Sequence, residues 1–135
     1  MKEPVVVPSI CPYCGVGCGL YIAVEAGAAI GLEYMKDHPT NEGALCPKGN
    51  ASLDVVYHRE RLLYPMRRVN GRFERVSWDE ALDLVAENLS RIRSAHGANA
   101  LGFLSSAKCT NEENYLFQKL TRMLGTNNVD HCARL

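Results

Sequence analysis

The stretch "CPYCGVGCGL", residues 11–20, decides how the first half of the chain is built. It places three cysteines in one short segment, and Cys46 follows in "ALCPKGN", so that the full pattern is Cys-x2-Cys-x3-Cys-x27-Cys. Glycines at positions 15, 17 and 19 allow the backbone tight turns around an inorganic core. The spacing therefore predicts a metal site made by one compact loop and closed by a distant cysteine.

Two kinds of metal centre use four thiolates, the 4Fe–4S cluster and the structural zinc site. Zinc sites usually draw their cysteines from two short pairs, whereas three neighbouring cysteines and one remote cysteine fit a cubane cluster better. The cluster is the favoured interpretation, and zinc or a set of disulfide-bonded or inert thiols are the alternatives. Lys48, two residues after Cys46, is either a solvated surface charge or a functional cation.

Length and charge limit the other possibilities. The chain has 135 residues, with 15 basic and 15 acidic groups, which suits one ordinary domain or two small ones. A net charge of zero argues against a general polyanion binder. No apolar run is long enough to cross a bilayer, and the N-terminus lacks a secretory or twin-arginine signal. A cytoplasmic location is expected, where six cysteines are more often metal ligands or free thiols than disulfides.

Two hairpins are predicted before residue 77. Alternating apolar residues predict the first over residues 18–35, with Ala26-Gly27 as its turn. The next segment, "DHPTNEGALCPKGN", is rich in Pro, Asn and Gly and is predicted to be an ordered loop. The second hairpin lies in "LLYPMRRVNGRFERVSW", where Asn70-Gly71 is a strong two-residue turn signal.

After residue 77 the pattern changes to helices separated by short apolar segments. Two helices are predicted, each with a capping box at its start and a glycine at its end: Ser77 with Glu80 and Gly97, and Thr110 with Glu113 and Gly125. Their apolar positions recur at helical spacing and are predicted to be core. Residues 100–106 are predicted to form a buried strand, and "NNVDH" to begin another.

The predicted fold class is therefore α+β followed by α/β. Residues 1–60 would form a small loop-rich β module around an iron–sulfur cluster, and residues 61–135 the beginning of a parallel α/β domain. The second part is incomplete, because two or three elements give too little sheet to cover both of its faces. An exposed apolar edge is expected.

Four motifs follow one another in an order that resembles a known family. These are "CPYCGVGCGL", "HPTNEGALCPKG", "RLLYPMRR" and "VSWDEAL". Together they resemble the N-terminal iron–sulfur module of the molybdenum or tungsten bis-pterin guanine dinucleotide oxidoreductases, over essentially the whole chain. Within that family, "SSAKCTNEENYLFQKL" and "GTNNVDHCARL" most resemble the catalytic (alpha) subunit of formate dehydrogenases, either deazaflavin-linked or NAD-linked.

The resemblance implies a role for particular residues. The four ligands of one 4Fe–4S cluster would be Cys11, Cys14, Cys18 and Cys46. Lys48 would lie between the cluster and the pterin and act as an electron relay in catalysis. The molybdenum or tungsten pterin guanine dinucleotide would be contacted by Lys48, Asn111, Glu112 and Tyr115.

The resemblance also implies an activity and partners. The complete enzyme would oxidise formate to carbon dioxide or run the reverse reaction, and would pass electrons to a beta subunit that uses a deazaflavin or NAD. Neither nucleic acid binding nor membrane insertion is expected. Leu135 is the last residue before the position at which formate dehydrogenases carry the cysteine or selenocysteine that binds the metal. The sequence is therefore interpreted as the N-terminal piece of a selenocysteine enzyme, or alternatively of a cysteine enzyme, and is expected to be inactive alone.

Other functions remain open at the level of sequence. A related bis-pterin enzyme such as a nitrate reductase would share the same front module. A stand-alone iron–sulfur electron carrier and a zinc-stabilised interaction module are further alternatives.

The remaining chemically interesting residues have simpler interpretations. Cys109 and Cys132 are predicted to be free, partly buried thiols, and His38 a structural hydrogen-bonding residue. Four arginines flank the second hairpin, at positions 67, 68, 72 and 75. They are predicted to form a solvated face, with a contact to a partner subunit or to cofactor phosphates as the alternative.

Overall fold

The computed structural model describes residues 3–132. The elements in chain order are β1 (Val5–Ile10), β2 (Gly19–Glu25), β3 (Ala28–Tyr34), α1 (Pro47–Asn50), α2 (Ser52–Tyr57), β4 (Met66–Val69), β5 (Arg72–Arg75), α3 (Trp78–His96), β6 (Phe103–Ser105), α4 (Asn111–Met123) and β7 (Val129–His131). The first three strands form an antiparallel sheet in the order β1-β2-β3, β4 and β5 form a hairpin, and β6 pairs in parallel with β7. The predicted sequence of an antiparallel β part followed by a parallel α/β part is confirmed.

The predicted first hairpin is β2 and β3. Ala26 and Gly27 both have positive φ angles, 50° and 82°, which is the backbone of the two-residue turn that joins right-twisted strands. Leu20 and Ala23 of β2 are buried, because β2 is the central strand of the sheet. Strand β1 was not predicted. Pro8 argues against a central strand, but β1 lies at the edge of the sheet, where a missing backbone N–H is tolerated.

The segment predicted as an ordered loop is only partly a loop. Turns cover its first part, but its last four residues form the helix α1, with Cys46 as the N-cap and Pro47 at the first helical position. Proline is favourable there, because the first N–H groups of a helix have no partner inside it. The buried Ser52 hydroxyl donates a 2.6 Å hydrogen bond to the carbonyl of Gly49 and joins α1 to α2.

The second hairpin is formed as predicted. Asn70 and Gly71 have φ angles of 49° and 83° and connect β4 to β5, with Val69 opposite Arg72. A hydrogen bond of 3.0 Å from the Val76 amide to the Pro65 carbonyl continues the pairing toward α3.

Only one of the two predicted capping boxes is complete. At α4, the Thr110 hydroxyl accepts from the Glu113 amide at 3.2 Å, and the Glu113 carboxylate accepts from the Thr110 amide at 2.7 Å. At α3, the Ser77 hydroxyl accepts from the Glu80 amide at 3.1 Å. The Glu80 carboxylate instead forms an ion pair of 3.1 Å with Arg67 of β4 and ties the helix to the hairpin.

Helix α4 connects the parallel strands. It follows β6 and leads to β7, and the rings of Phe103 and Phe117 meet edge to face with centroids 5.8 Å apart. Gly97 ends α3 and Gly125 follows the end of α4, with φ angles of 81° and 89° that other residues rarely adopt, as the sequence predicted. No helix within residues 3–132 is both long and apolar enough to cross a membrane.

The prediction that the helix apolar positions form a core is wrong for most of them. The exposed ones are Trp78, Leu82 and Val85 of α3 and Leu116, Leu120 and Met123 of α4. In β6, Leu104 is 82% exposed, although its strand was predicted to be buried. The cause is the size of the sheet, since two short parallel strands cannot cover two helices. The expected exposed apolar surface is confirmed.

We predict that Thr110→Ala lowers the free energy of unfolding of the chain by about 1 kcal/mol, because the first turn of α4 loses its hydroxyl acceptor. Thr110→Ser keeps that acceptor and serves as the matched control. Urea unfolding followed by circular dichroism measures both. Equal stability of the alanine and serine variants would contradict the role of the cap.

Candidate metal centre and cofactor cavity

The loop from Cys11 to Cys18 joins β1 to β2 and carries three of the four predicted ligands. Its ends are closed by a 2.8 Å hydrogen bond from the Cys11 amide to the Cys18 carbonyl. Gly17 within it has a φ of 70°, a conformation that favours glycine and turns the chain back. All six cysteines of the chain are free thiols, and Cys11 is buried with 6% of its surface exposed.

The fourth thiol influences the loop thiols and is itself influenced by nearby amides. Burial raises the pKa of the Cys18 thiol, and the neighbouring charges of Cys11, Cys14 and Cys46 raise it further. The opposite holds for Cys46, whose pKa is lowered because the amides of Gly49 and Lys48 donate to its sulfur, with a further contribution from the Lys48 ammonium. The charges of the three other predicted ligands thus reach Cys18, and Lys48 lies next to Cys46.

Amide side chains fix the approach of the distant cysteine. Asn41 accepts from the Gly19 amide at 2.8 Å and donates to the carbonyls of Gly19 and Ala44, at 3.1 and 3.0 Å. It therefore joins the start of β2, next to Cys18, to the segment that leads to Cys46. The sequence analysis did not single out Asn41, although the motif "NEGALCPKG" contains it.

A second amide closes α1. Asn50 donates to the carbonyls of Leu45 and Cys46 at 3.1 and 3.2 Å, and its own oxygen accepts from the Tyr34 hydroxyl at 2.7 Å. His38 accepts from the Gly19 amide at 3.3 Å, which confirms its predicted structural role. Gly49 packs closely against the site, since a Cβ there would lie 3.3 Å from Leu45 Cδ2, a tight contact, and 3.7 Å from the sulfur of Cys11, an ordinary one.

The donor set suits a four-iron cluster. It offers four thiols from two segments and backbone amides aimed at sulfur, the two kinds of group that such clusters use. Within residues 3–132, no group of three or more His, Cys, Asp or Glu side chains is arranged to hold a metal ion. In a cubane each thiolate binds a different iron, so the thiols surround the cluster instead of converging on one ion.

A large cavity lies at the carboxyl ends of β6 and β7. Its volume is about 450 Å³, and its lining includes Ser105, Ser106, Asn114, Tyr115, Asp130 and His131. The Ser105 hydroxyl donates to the side-chain oxygen of Asn114 at 2.6 Å and holds the wall of the cavity together. Ligands of open parallel sheets bind at this end of the strands. That rule was the signal in the sequence that could have identified these residues.

The predicted cofactor residues are divided between two places. Tyr115 lines the large cavity and also a shallow depression of about 410 Å³ that it shares with Asn111 and Glu112. The Asn111 side chain donates a 2.9 Å hydrogen bond to the carbonyl of Gly15, in the cysteine loop. The structure therefore brings one predicted cofactor residue to the metal-centre loop and another to the cavity.

The other two cysteines differ from each other. Cys109 is partly buried, as predicted, whereas the prediction that Cys132 is partly buried is wrong because the β7 end leaves it exposed. The Cys132 sulfur lies 3.6 Å from the Ser106 hydroxyl, and the amide of Ala107 lowers its pKa.

The arginines of the second hairpin are exposed, as predicted for a solvated face. The Arg68 guanidinium lies 4.8 Å from the centroid of the Phe73 ring, and that of Arg75 lies 3.2 Å from the centroid of the Tyr64 ring. Cation–π contacts of this kind organise the hairpin surface.

Two protein-family models match the chain, one over its first part and one over its second. The family model described as the molybdopterin oxidoreductase Fe4S4 domain matches residues 4–58, and the molybdopterin oxidoreductase model matches residues 61–135. The chain belongs to the molybdopterin oxidoreductase family. All four candidate ligands lie in the first match, and the large cavity lies in the second. The resemblance drawn from the sequence is confirmed, and with it the cofactors of the family, an iron–sulfur cluster and a molybdenum or tungsten pterin.

Two similar proteins are formate dehydrogenases of methanogens. The alpha subunit of the F420-dependent formate dehydrogenase of Methanocaldococcus jannaschii is 47% identical over 131 residues, which are 96% of this chain and 19% of that protein. The alpha subunit of F420-dependent formate dehydrogenase 1 of Methanococcus maripaludis is 47% identical over 130 residues, with the same two coverages. The chain thus spans about a fifth of the length of these relatives.

A solved structure has the same fold. Acetylene hydratase from Pelobacter acetylenicus superposes with a TM-score of 0.72 at 28% identity, over 96% of this chain and 18% of that one. The fold class expected from the sequence, with an antiparallel part followed by a parallel pair, is confirmed.

We predict that Cys14→Ser abolishes uptake of a four-iron cluster by the chain reconstituted with iron and sulfide under anaerobic conditions, because one iron loses its thiolate. Cys109→Ser is the matched control and should bind as much iron as the unsubstituted chain. Iron and sulfide analysis measures the result. Four irons per chain in the Cys14 variant would exclude the proposed ligand set.

We also predict that the metal-free thiols differ in their pH dependence. The lowered pKa of Cys46 leaves more thiolate at a given pH, so its alkylation by iodoacetamide should persist to lower pH than that of Cys18, whose pKa is raised. Mass spectrometry of the labelled peptides over a pH series measures both rates. Parallel profiles for the two cysteines would show that Cys46 lacks its amide donors.

Proposed function

We propose that this chain is the iron–sulfur portion of a formate dehydrogenase, which oxidises formate to carbon dioxide or catalyses the reverse reaction. The observation that carries the proposal is the 47% identity to formate dehydrogenase alpha subunits over 96% of the chain. In this proposal, residues 1–60 form the cluster module and residues 61–135 begin the domain that binds the pterin cofactor.

The cluster ligands in this proposal are Cys11, Cys14, Cys18 and Cys46. When bound, the cluster would accept and release single electrons, and the metal–pterin group would exchange two electrons with formate. The protein supplies the thiolates and controls their charge. Amides of Lys48 and Gly49 donate to one sulfur, and the burial of Cys11 keeps water from another. Both effects tune the potential of an iron–sulfur centre.

Lys48 is the proposed electron relay. Its ammonium lies close enough to Cys46 to lower the pKa of that thiol, so it would also stabilise the added negative charge of a reduced cluster. Its side chain is exposed and is therefore available to a neighbouring group. These two observations support a position between the cluster and the pterin.

The cavity at the ends of β6 and β7 is the proposed beginning of the pterin site. Hydroxyl and amide groups of Ser105, Ser106 and Asn114 line it, and Tyr115 provides an aromatic wall. A pterin guanine dinucleotide carries many hydrogen-bonding groups and two flat ring systems, which polar side chains and aromatic rings can recognise. Asn111 and Glu112 would contribute from the adjacent depression.

A second subunit is the proposed electron acceptor. The relatives are named as F420-dependent alpha subunits, and this supports a deazaflavin-linked beta subunit, with an NAD-linked one as the alternative. A cytoplasmic location is part of the proposal, because both acceptors are soluble cofactors.

Activity measurements on the enzyme that contains this chain test the function. The anaerobically purified enzyme should reduce benzyl viologen with formate and should not oxidise reduced viologen with nitrate. Assays with F420 and with NAD⁺ then identify the acceptor, and metal analysis distinguishes molybdenum from tungsten. Nitrate reduction without formate oxidation would replace the proposal by a nitrate reductase.

We predict that Lys48→Ala slows the reduction of the cluster by formate by roughly tenfold, which corresponds to about 1.4 kcal/mol in the barrier. The cluster itself should still assemble, since all four cysteines remain. Lys48→Arg keeps the positive charge and should lose less, and Lys119→Ala, on the surface of α4, controls for loss of a lysine. Stopped-flow absorbance of the cluster measures the rates. Equal rates in the Lys48 and Lys119 alanine variants would exclude the relay.

A further inference from the structure

One hydrogen bond joins the two halves of the chain at the metal-centre loop. The Asn111 side chain, at the first residue of α4, donates to the carbonyl of Gly15 at 2.9 Å, although the two residues are 96 positions apart. The approach is close, because a Cβ at Gly15 would lie 2.5 Å from the Asn111 side-chain oxygen. Gly15 has no positive φ, so a side chain there would be disfavoured by its contact with Asn111 and not by the backbone conformation.

The loop is held at its ends by other groups. The Cys11 amide bonds the Cys18 carbonyl at 2.8 Å, and the Gly19 amide bonds Asn41 at 2.8 Å. Both contacts lie at the base of the loop, where it meets the sheet. Cys14 and Gly15 lie midway between the ends of the loop and form what we call its tip, and Asn111 contacts Gly15 from the other half of the chain.

Asn111 itself stands on a fixed support. The complete capping box of Thr110 and Glu113 sets the first turn of α4. Asn114 adds a 3.2 Å hydrogen bond to the Thr110 carbonyl and accepts from the Ser105 hydroxyl at 2.6 Å, at the wall of the large cavity. The backbone that carries Asn111 is therefore tied both to its own helix and to the end of β6.

We propose that Asn111 is a positioning residue that fixes the tip of the cysteine loop against α4. Its amide N–H sets where Cys14 lies relative to the cavity at the ends of β6 and β7. The inference rests on the proposed function in one respect, that this loop holds the cluster. Electron transfer falls steeply with distance, so a fixed separation of loop and cavity serves the reaction that the proposed function assigns.

The chemistry of the contact requires an amide. A carbonyl oxygen accepts hydrogen bonds only, so Gly15 needs a donor at position 111. Alanine has no donor and adds no charge beside the thiols. It is also the best helix former, so Asn111→Ala removes the hydrogen bond without weakening α4.

The first experiment uses the metal-free chain. In Asn111→Ala, alkylation of Cys14 by iodoacetamide should be roughly fivefold faster, the effect expected when one hydrogen bond no longer holds the loop. Asn88→Ala is the matched control, because Asn88 also donates from its side chain to a backbone carbonyl, that of Leu84, but within α3. Cys109, just before α4, is an internal reference for general loosening. Equal acceleration of Cys14 and Cys109, or none at Cys14, would overturn the inference.

The second experiment is a double-mutant cycle with Gly15→Ala. This variant should also speed alkylation of Cys14, because the new methyl group displaces Asn111. Asn111→Ala removes the obstacle, so the double variant should react no faster than Asn111→Ala alone. Additive effects of the two substitutions would show that they act independently and would overturn the inference.

The reconstituted chain separates this inference from the proposed function. Asn111→Ala should take up four irons but release them to a chelator several-fold faster than Asn88→Ala. Unchanged release would count against the positioning role and leave the ligand set intact. Failure of the unsubstituted chain to bind iron would refute the cluster, whereas the alkylation of the metal-free chain would still decide the role of Asn111.

Discussion

Mutual repulsion among four thiolates is the constraint around which the first half of this chain is organised. Burial raises the pKa of Cys18, and the charges of the three other cysteines raise it further, which shows the cost of gathering the thiolates. Amide donors and the Lys48 ammonium offset part of that cost at Cys46. The sheet supplies the rigid base, since β1 and β2 place both ends of the loop, and Asn41 connects the base to the distant cysteine. A bound cluster would supply the remaining compensation, because its irons are cations for the same four sulfurs.

Local chemistry explains which elements could be predicted from the sequence. Turns such as Ala26-Gly27 and Asn70-Gly71 are specified by residues that accept a positive φ, so both hairpins could be located. The capping box of Thr110 and Glu113 is complete, whereas the Glu80 carboxylate forms an ion pair with Arg67 and does not complete the box at α3. Such a choice between partners depends on the tertiary structure and is absent from local patterns. The helix α1 was missed because proline and glycine are more often signals of loops.

The metal ligands of the candidate site could be predicted from the sequence, but the residues of the cavity could not. Cysteine spacing carries strong information, since few other roles need four thiols in that order. The cavity residues Ser105 and Asn114 carry little information about function, because serine and asparagine are common in loops. Their meaning comes from the parallel pairing of β6 with β7, which only the three-dimensional structure supplies. The burial of the helices was wrongly predicted for a related reason. An apolar stripe shows which side of a helix can be buried, but it does not show whether the chain supplies another element to cover that side.

The separation of Gly15 from Asn111 has a consequence for synthesis of the protein. Translation proceeds at about 5–20 residues per second, so roughly 5–20 seconds pass between the appearance of the loop tip and that of its anchor. During that interval the cysteines of the loop and Cys46 have already been made, but the tip is not yet held by α4. The loop tip therefore stays without this contact until α4 has been made, and the helix closes it only afterwards.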